Sequence, residues 1–106
     1  MKRGGMTLRY PEICIRTDLI ARNAEKIKEL CSPSGIKIWG VTKGVSAHPS
    51  VAAAMIDGGC CGLADSRIEN IRKLRLFGIR EPMMLLRIPM PGEMDKIAEF
   101  ADICLI

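Results

Sequence analysis

Residues 36–64 read IKIWGVTKGVSAHPSVAAAMIDGGCCGLA. The stretch opens on IKIWGVT (36–42), a nearly continuous apolar run of strand length, the pattern of a strand buried on both faces. A Lys-Gly-Val-Ser-Ala-His loop then leads to Pro49, whose fixed φ and missing N–H suit the first position of a helix. That helix is expected to run to about Asp57, where Gly58 and Gly59 stop it. A second apolar strand, CCGLA (60–64), follows at once. Two buried strands joined through a helix must run parallel, because antiparallel neighbours are joined by short turns.

The same alternation continues on both sides. Downstream, Asp65 or Ser66 is expected to cap a helix through about Phe77, with Ile68, Ile71 and Leu74 on its buried side. Glu69 and Lys73 are spaced for an i,i+4 ion pair, and Gly78 closes the helix. MMLLRI (83–88) reads as the next strand, PMPG turns into a short helix over 93–100, and ICLI (103–106) opens another strand. Upstream, EICIR (12–16) alternates with period two, as a half-buried strand does. Asp18 is a candidate N-cap for DLIARNAEKIKELC, with Ile20, Ala24, Ile27 and Cys31 on one face, and SPSG (32–35) ends that helix.

Strand starts at 36, 60, 83 and about 102 are spaced 24, 23 and about 19 residues, each gap holding one helix. The fold class is therefore α/β with a parallel sheet, in one of two forms: a doubly wound open sheet or a (β/α)8 barrel. A complete barrel takes ~250 residues, so four repeats make about half of one. The chain stops inside an apolar strand, and is expected to be the N-terminal part of a longer protein.

Composition narrows the function classes. A chain of 106 residues, 48% hydrophobic and 26% charged, suits one small globular domain and excludes a disordered tail. No apolar run approaches the ~18 residues of a membrane span, and MKRGGMTLRY has no apolar core of a secretory signal behind its basic residues. The expected compartment is the cytoplasm, with no membrane partner. Net charge is +4, but one Trp, one Tyr and two Phe leave little to stack on bases, so no nucleic-acid partner is expected. Five cysteines, an odd number without a C-x-x-C, and a single His argue for buried reduced thiols and against a metal site.

In parallel α/β folds functional groups gather at the C-terminal ends of the strands. Here those positions hold Thr42 and Lys43, then Asp65, Ser66 and Arg67, then Arg87 and Met90. Lys43 is the sharpest candidate. A lysine at a barrel mouth is expected to be partly desolvated, which favours the free amine that a Schiff base requires; the plainer reading is a strand-end lysine in solvent. Arg87 is suited to a carboxylate or a phosphate, or to snorkelling out at the sheet edge. Asp65 and Ser66 can be simple helix caps. Arg67 lies in a first helical turn, where a cation is mildly unfavourable unless a ligand or partner charge is near. His48 reads as a loop cap or a solvated histidine, and Tyr10 and Glu12 carry no evident chemistry. Neither G-x-G-x-x-G nor a P-loop occurs.

YPEICIRTDLIARNAEKI, GVTKG, GLADSRIENIRKL and MMLLRIPMPGE, in this order, resemble the amino-terminal part of the alanine racemase-like pyridoxal-phosphate (PLP) enzymes. The likeness runs from Tyr10 onward and is greatest to the branch of ornithine racemases and predicted amino-acid racemases. It implies that residues 1–106 are about half of a PLP-binding (β/α)8 barrel, a homodimer when full length, acting on a small amino acid. It also implies that Lys43 forms the internal aldimine and serves as one acid/base group. Asp65, Ser66, Arg67 and Arg87 would then lie around the cofactor. The second acid/base group, a tyrosine from the partner subunit in alanine racemases, has no counterpart here, so these residues alone are expected to be inactive.

Two departures stand out. Alanine racemases carry a tyrosine four residues after the lysine that reaches the phosphate, and Ala47 stands there in this chain. The late-strand loops that largely hold phosphate in this barrel type have no counterpart either. The segment after the second strand also resembles small PLP-homeostasis proteins, which share the barrel and the lysine. A PLP carrier, or a half-barrel without activity, is thus the alternative to a racemase; the L-R-I-P-M run favours the racemase branch.

Overall fold

Proline at the start and glycine at the end delimit the central helix as the spacing predicts. A computed structural model describes residues 14–105. Helix α2 spans Pro49–Asp57 and turns out at Gly58 and Gly59. Before it come α1 (Thr17–Cys31) and β1 (Trp39–Val41); after it come β2 (Gly62–Asp65), α3 (Ile68–Phe77), β3 (Met83–Leu85), α4 (Met94–Phe100) and β4 (Ile103–Cys104). Gly78 closes α3 at φ 108°, a conformation that only glycine adopts without strain.

The strands lie in the order β1-β2-β3-β4, every pair parallel. This order decides between the two architectures. A doubly wound sheet reverses its winding to place helices on both faces, whereas a barrel steps in one direction throughout. Here each crossover moves one strand further the same way. Helix α1 packs on α2, α2 on α3 and α3 on α4, making one layer on one side of the sheet. The sheet and its helices match the first half of a (β/α)8 barrel.

Pleating separates the two faces. The row Leu63–Met83 packs with Leu85, Ala47, Ala52, Ile68, Ile71, Leu74 and Ile97 into the core beneath the helices. The next row, Val41–Ala64–Met84–Ile103, points the other way, and its end members Val41 and Ile103 are each 44% exposed. That face corresponds to a barrel's interior layer. Close packing of α1 on the turn after α2 depends on Gly58, where a Cβ would stand 2.6 Å from the Cβ of Ala24.

Several sequence expectations change. Of the strand expected over 12–16, residues 12 and 13 lie outside the described residues, and residues 14–16 are exposed and unpaired in any sheet. Helix α1 begins one residue before Asp18, which does not cap it; its carboxylate pairs with the Arg16 guanidinium at 2.8 Å in the favourable first turn. On the expected apolar face of α1 only Ala24 is buried, and Ile27 is 50% exposed, because contact with α2 passes through the small residues. Strand 36–42 shortens to Trp39–Val41, and Ile36 is exposed, because β2 offers partners only from Gly62. Strand 83–88 shortens to Met83–Leu85, and the last helix begins as a 3₁₀ turn at Pro91–Glu93. Lys73 does not pair with Glu69: its Nζ reaches across to the carbonyl of Ser46 at 2.9 Å, and Glu69 lies 3.8 Å from Arg67.

Leu63 is 1% exposed at the centre of the core, and Leu30 on α1 is 80% exposed. Leu63→Ala is expected to cost about 2–5 kcal/mol in urea unfolding, and Leu30→Ala under about 0.5 kcal/mol.

Candidate functional site

Because the strands are parallel, the residues that follow them collect at one edge of the sheet. Lys43 begins a 3₁₀ turn, Lys43–Val45, directly after β1. Asp65 ends β2, with Ser66 and Arg67 behind it, and Arg87 stands two residues past β3. All five candidates thus share the C-terminal edge. The Lys43 side chain is exposed and, among the described residues, has no hydrogen bond or ion pair. The desolvation expected of it is not provided by these residues.

Asp65 is different. It is fully buried, and each of its oxygens is engaged within the chain. Oδ2 accepts from the Thr42 hydroxyl at 2.7 Å; Oδ1 accepts from the Arg67 backbone N–H at 2.9 Å and from Asn70 Nδ2 at 3.0 Å. Asp65 therefore anchors the start of α3 through the Arg67 N–H and the Asn70 side-chain amide, while Arg67 occupies the N-cap position with no side-chain cap of its own. A carboxylate at a helix N-terminus is favoured by the exposed N–H groups there. Arg67 itself is exposed.

Arg87 has found a carboxylate, and it is the chain's own. Its Nη2 donates to Glu93 Oε2 at 2.8 Å, and its Nε donates to the Ser66 carbonyl at 2.6 Å. This arginine ties the loop after β2 to the 3₁₀ turn before α4. The Arg87 hydrogen bond holds the Glu93 carboxyl below its ordinary range, helped by the backbone N–H of Met90.

The loop after Lys43 is shaped by two residues with left-handed backbone, Ser46 at φ 51° and Ala47 at φ 54°. Ala47 is fully buried in the core, so the position that carries a phosphate-reaching tyrosine in the resembled enzymes serves packing here. His48 acts as the expected loop cap, its Nδ1 accepting from the Ser50 N–H at 3.3 Å. Tyr10 and Glu12 lie outside the described residues. Among the described residues no group of three or more His, Cys, Asp or Glu side chains is placed to hold a metal. Burial raises the Cys60 thiol above its ordinary value, which makes it a less ready thiolate.

The sequence pattern gives no partner for Thr42, Asn70 or Glu93, and it pairs Lys73 with Glu69 where the fold gives it Ser46. Thr42 stands out only as a strand end, and only the fold brings its hydroxyl to Asp65. Asn70 carried a signal, an amide in the first turn of a helix preceded by an aspartate.

The profile of the family described as "Alanine racemase, N-terminal domain" matches residues 15–106. The chain belongs to this alanine racemase N-terminal family. Curated relatives include a lysine racemase of Thermotoga maritima, 36% identical over 97 residues, and an ornithine racemase of Acetoanaerobium sticklandii, 35% identical over 96 residues. These matches cover 92% and 91% of this chain but 27% of each relative, so the chain spans about a quarter of their length. Among solved structures, alanine racemase from Bacillus anthracis with bound L-Ala-P superposes with a TM-score of 0.74 at 29% identity. That superposition covers 85% of this chain and 24% of the other. Alanine racemase from E. faecalis also reaches 0.74, over 87% of this chain and 25% of its own; at 22% identity it supports the fold alone. Membership of the alanine racemase N-terminal family agrees with the half-barrel winding of the sheet.

Two measurements check this geometry. Thr42→Val removes a donor from a buried carboxylate and is expected to cost about 1–3 kcal/mol in urea unfolding, with Thr42→Ser costing less. Because the folded Glu93 carboxyl titrates below its ordinary value, its contribution to stability is complete above the ordinary glutamate range and is lost as pH falls through the lower folded value. In an NMR titration Glu93 is expected to show a depressed midpoint, and Arg87→Ala to return it towards the ordinary value.

Proposed function

We propose that this chain is the lysine-bearing part of a PLP-dependent amino-acid racemase, with Lys43 as the residue that holds the cofactor and works on one face of the substrate. The observation that carries the reading is Lys43 itself: an exposed amine, unpaired among the described residues, at the C-terminal end of β1 in a chain of the alanine racemase N-terminal family. Its relatives include lysine and ornithine racemases, which supports an amino acid with a basic side chain as the substrate.

The residues present fit the aldehyde end of the cofactor. A primary amine at the mouth of a sheet, free of a competing carboxylate among the described residues, is the group required to hold an aldehyde covalently. When bound, PLP supplies an electron sink for the pair left behind as the substrate α-proton departs. Lys43 Nζ, once free, takes that proton or returns it on one face of Cα. Arg67 offers an exposed guanidinium, 3.8 Å from Glu69, for an anionic group of cofactor or substrate. Ser66 and Arg87 shape the wall beside it, Arg87 bracing the Ser66 carbonyl while Glu93 fixes the guanidinium. Asp65 contributes from beneath, through Thr42 and the start of α3. Ala47 is buried and has no reach, so in this proposal the phosphate is held largely by groups outside the described residues. Racemisation needs a second acid/base group on the opposite face of Cα; in this proposal it comes from a partner subunit.

The test uses the intact protein with PLP. Borohydride reduction followed by peptide mapping is expected to place the adduct on Lys43, and chiral chromatography to show interconversion of ornithine or lysine enantiomers, with alanine as the comparison. Lys43→Ala is expected to abolish both. An adduct on another lysine, or parent-level turnover by Lys43→Ala, would overturn the assignment.

A further inference from the structure

We propose that Thr42, Asp65 and Asn70, together with Lys73, form a positioning network that holds the backbone beneath Lys43, so that helix α3 sets where the amine stands. The inference rests on the reading of Lys43 as the cofactor-holding residue, and adds residues that act through it without touching substrate.

Each polar group of Thr42 is tied. Its N–H donates to the Ala64 carbonyl at 2.9 Å, and its hydroxyl donates to Asp65 Oδ2 at 2.7 Å. Its carbonyl accepts from the N–H groups of Val45 at 3.2 Å and Ala47 at 3.0 Å. Thr42 and Asp65 are both 0% exposed, so water does not compete for these bonds. Asp65 passes the restraint on to α3 through Asn70 Nδ2 and the Arg67 N–H. On the far side of Lys43, Lys73 Nζ donates to the Ser46 carbonyl at 2.9 Å. Asn70 and Lys73 are three apart in sequence and therefore neighbours on one face of α3. One helix face thus grips the chain on both sides of Lys43.

The backbone at the second grip is held in a costly conformation. Ser46 and Ala47 hold positive φ without being glycine, and such residues persist where their surroundings over-determine them. The bonds to the Thr42 and Ser46 carbonyls are that determination. A lysine side chain has four flexible carbons, so the arc swept by its amine is set by how firmly its Cα is held. A residue that both holds a cofactor and moves a proton gains from a fixed base, since a 1 Å misplacement can cost about 100-fold in rate.

The experiment follows labelling of Lys43, a readout apart from turnover. Intact protein freed of cofactor is treated with PLP and cyanoborohydride, and the rate of Lys43 modification is read by peptide mass spectrometry. Exposed Lys26 on α1 serves as an internal control, and circular dichroism monitors folding. Thr42→Val is expected to slow Lys43 labelling about 10- to 100-fold while leaving Lys26 unchanged. Thr42→Ser, which restores the hydroxyl, is expected to return the rate close to that of the parent. Lys73→Met and Asn70→Ala, which alter less buried positions, are expected to slow Lys43 in the same sense by smaller factors, and they decide the matter if Thr42→Val does not fold. Folded variants that label Lys43 at the parent rate would overturn the network, as would a Thr42→Ser variant as slow as Thr42→Val. Failure of Lys43 to be labelled in the parent would instead overturn the cofactor reading.

Discussion

Parallel pairing of β1 with β2, sealed at its C-terminal end by the buried hydrogen bond between Thr42 and Asp65, is the joint on which the rest of this structure turns. Parallel strands end at the same edge, so whatever follows them is brought together without any further device. The Thr42 hydroxyl and the Asp65 carboxylate lie in the water-free layer between sheet and helices, where leaving either unpaired is costly. Asp65 also collects the Arg67 N–H and the Asn70 amide, so one carboxylate joins β1, β2 and the start of α3. Beneath that joint sits the apolar core; above it emerge Lys43, Ser66 and Arg67.

A half-barrel divides its residues by face, and the division explains the chemistry. Rows that face the helices carry Leu63, Met83 and Leu85, which fill the core. Rows that face the other way carry Val41, Ala64, Met84 and Ile103, apolar but uncovered at the ends. At the C-terminal edge Asp65 and Arg87 are drawn into bonds with the chain's own groups, whereas Lys43 is left to solvent among the described residues. A charged side chain that has already found its partner is structural. One that has not is available for a ligand. This separates Lys43 from its neighbours more sharply than position at a strand end does.

The family match and the superposition on alanine racemases agree with the winding of the sheet, which carries on in one direction through all four strands. Identity of about a third to lysine and ornithine racemases spans nearly the whole chain, so the likeness does not rest on one motif. At Ala47 this chain puts a buried methyl group in a left-handed turn. The loop after Lys43 is held by backbone bonds and by Lys73 rather than by a large side chain.

Local sequence determined much of this. Apolar runs of strand length, Pro49 at a helix start, Gly58 and Gly78 at helix ends, and a spacing of a little over twenty residues are enough to require parallel strands joined by helices. They are enough because the rules behind them are local: backbone dihedrals, caps and the period of apolar residues. Strand-end position alone also brought Lys43, Asp65, Ser66, Arg67 and Arg87 to attention. Periodicity and spacing left a barrel segment and a doubly wound sheet open, since winding direction is a relation among strands that no single segment encodes; the family likeness implied the barrel, and the strand order bears it out. Only the tertiary structure shortened IKIWGVT to three paired residues, because a strand extends as far as its neighbour offers partners. And only it joined Thr42 to Asp65 across 23 residues of sequence, gave Arg87 to Glu93, and turned Lys73 from Glu69 to Ser46. A side chain chooses its partner by distance in space, and that distance exists only after the chain has folded.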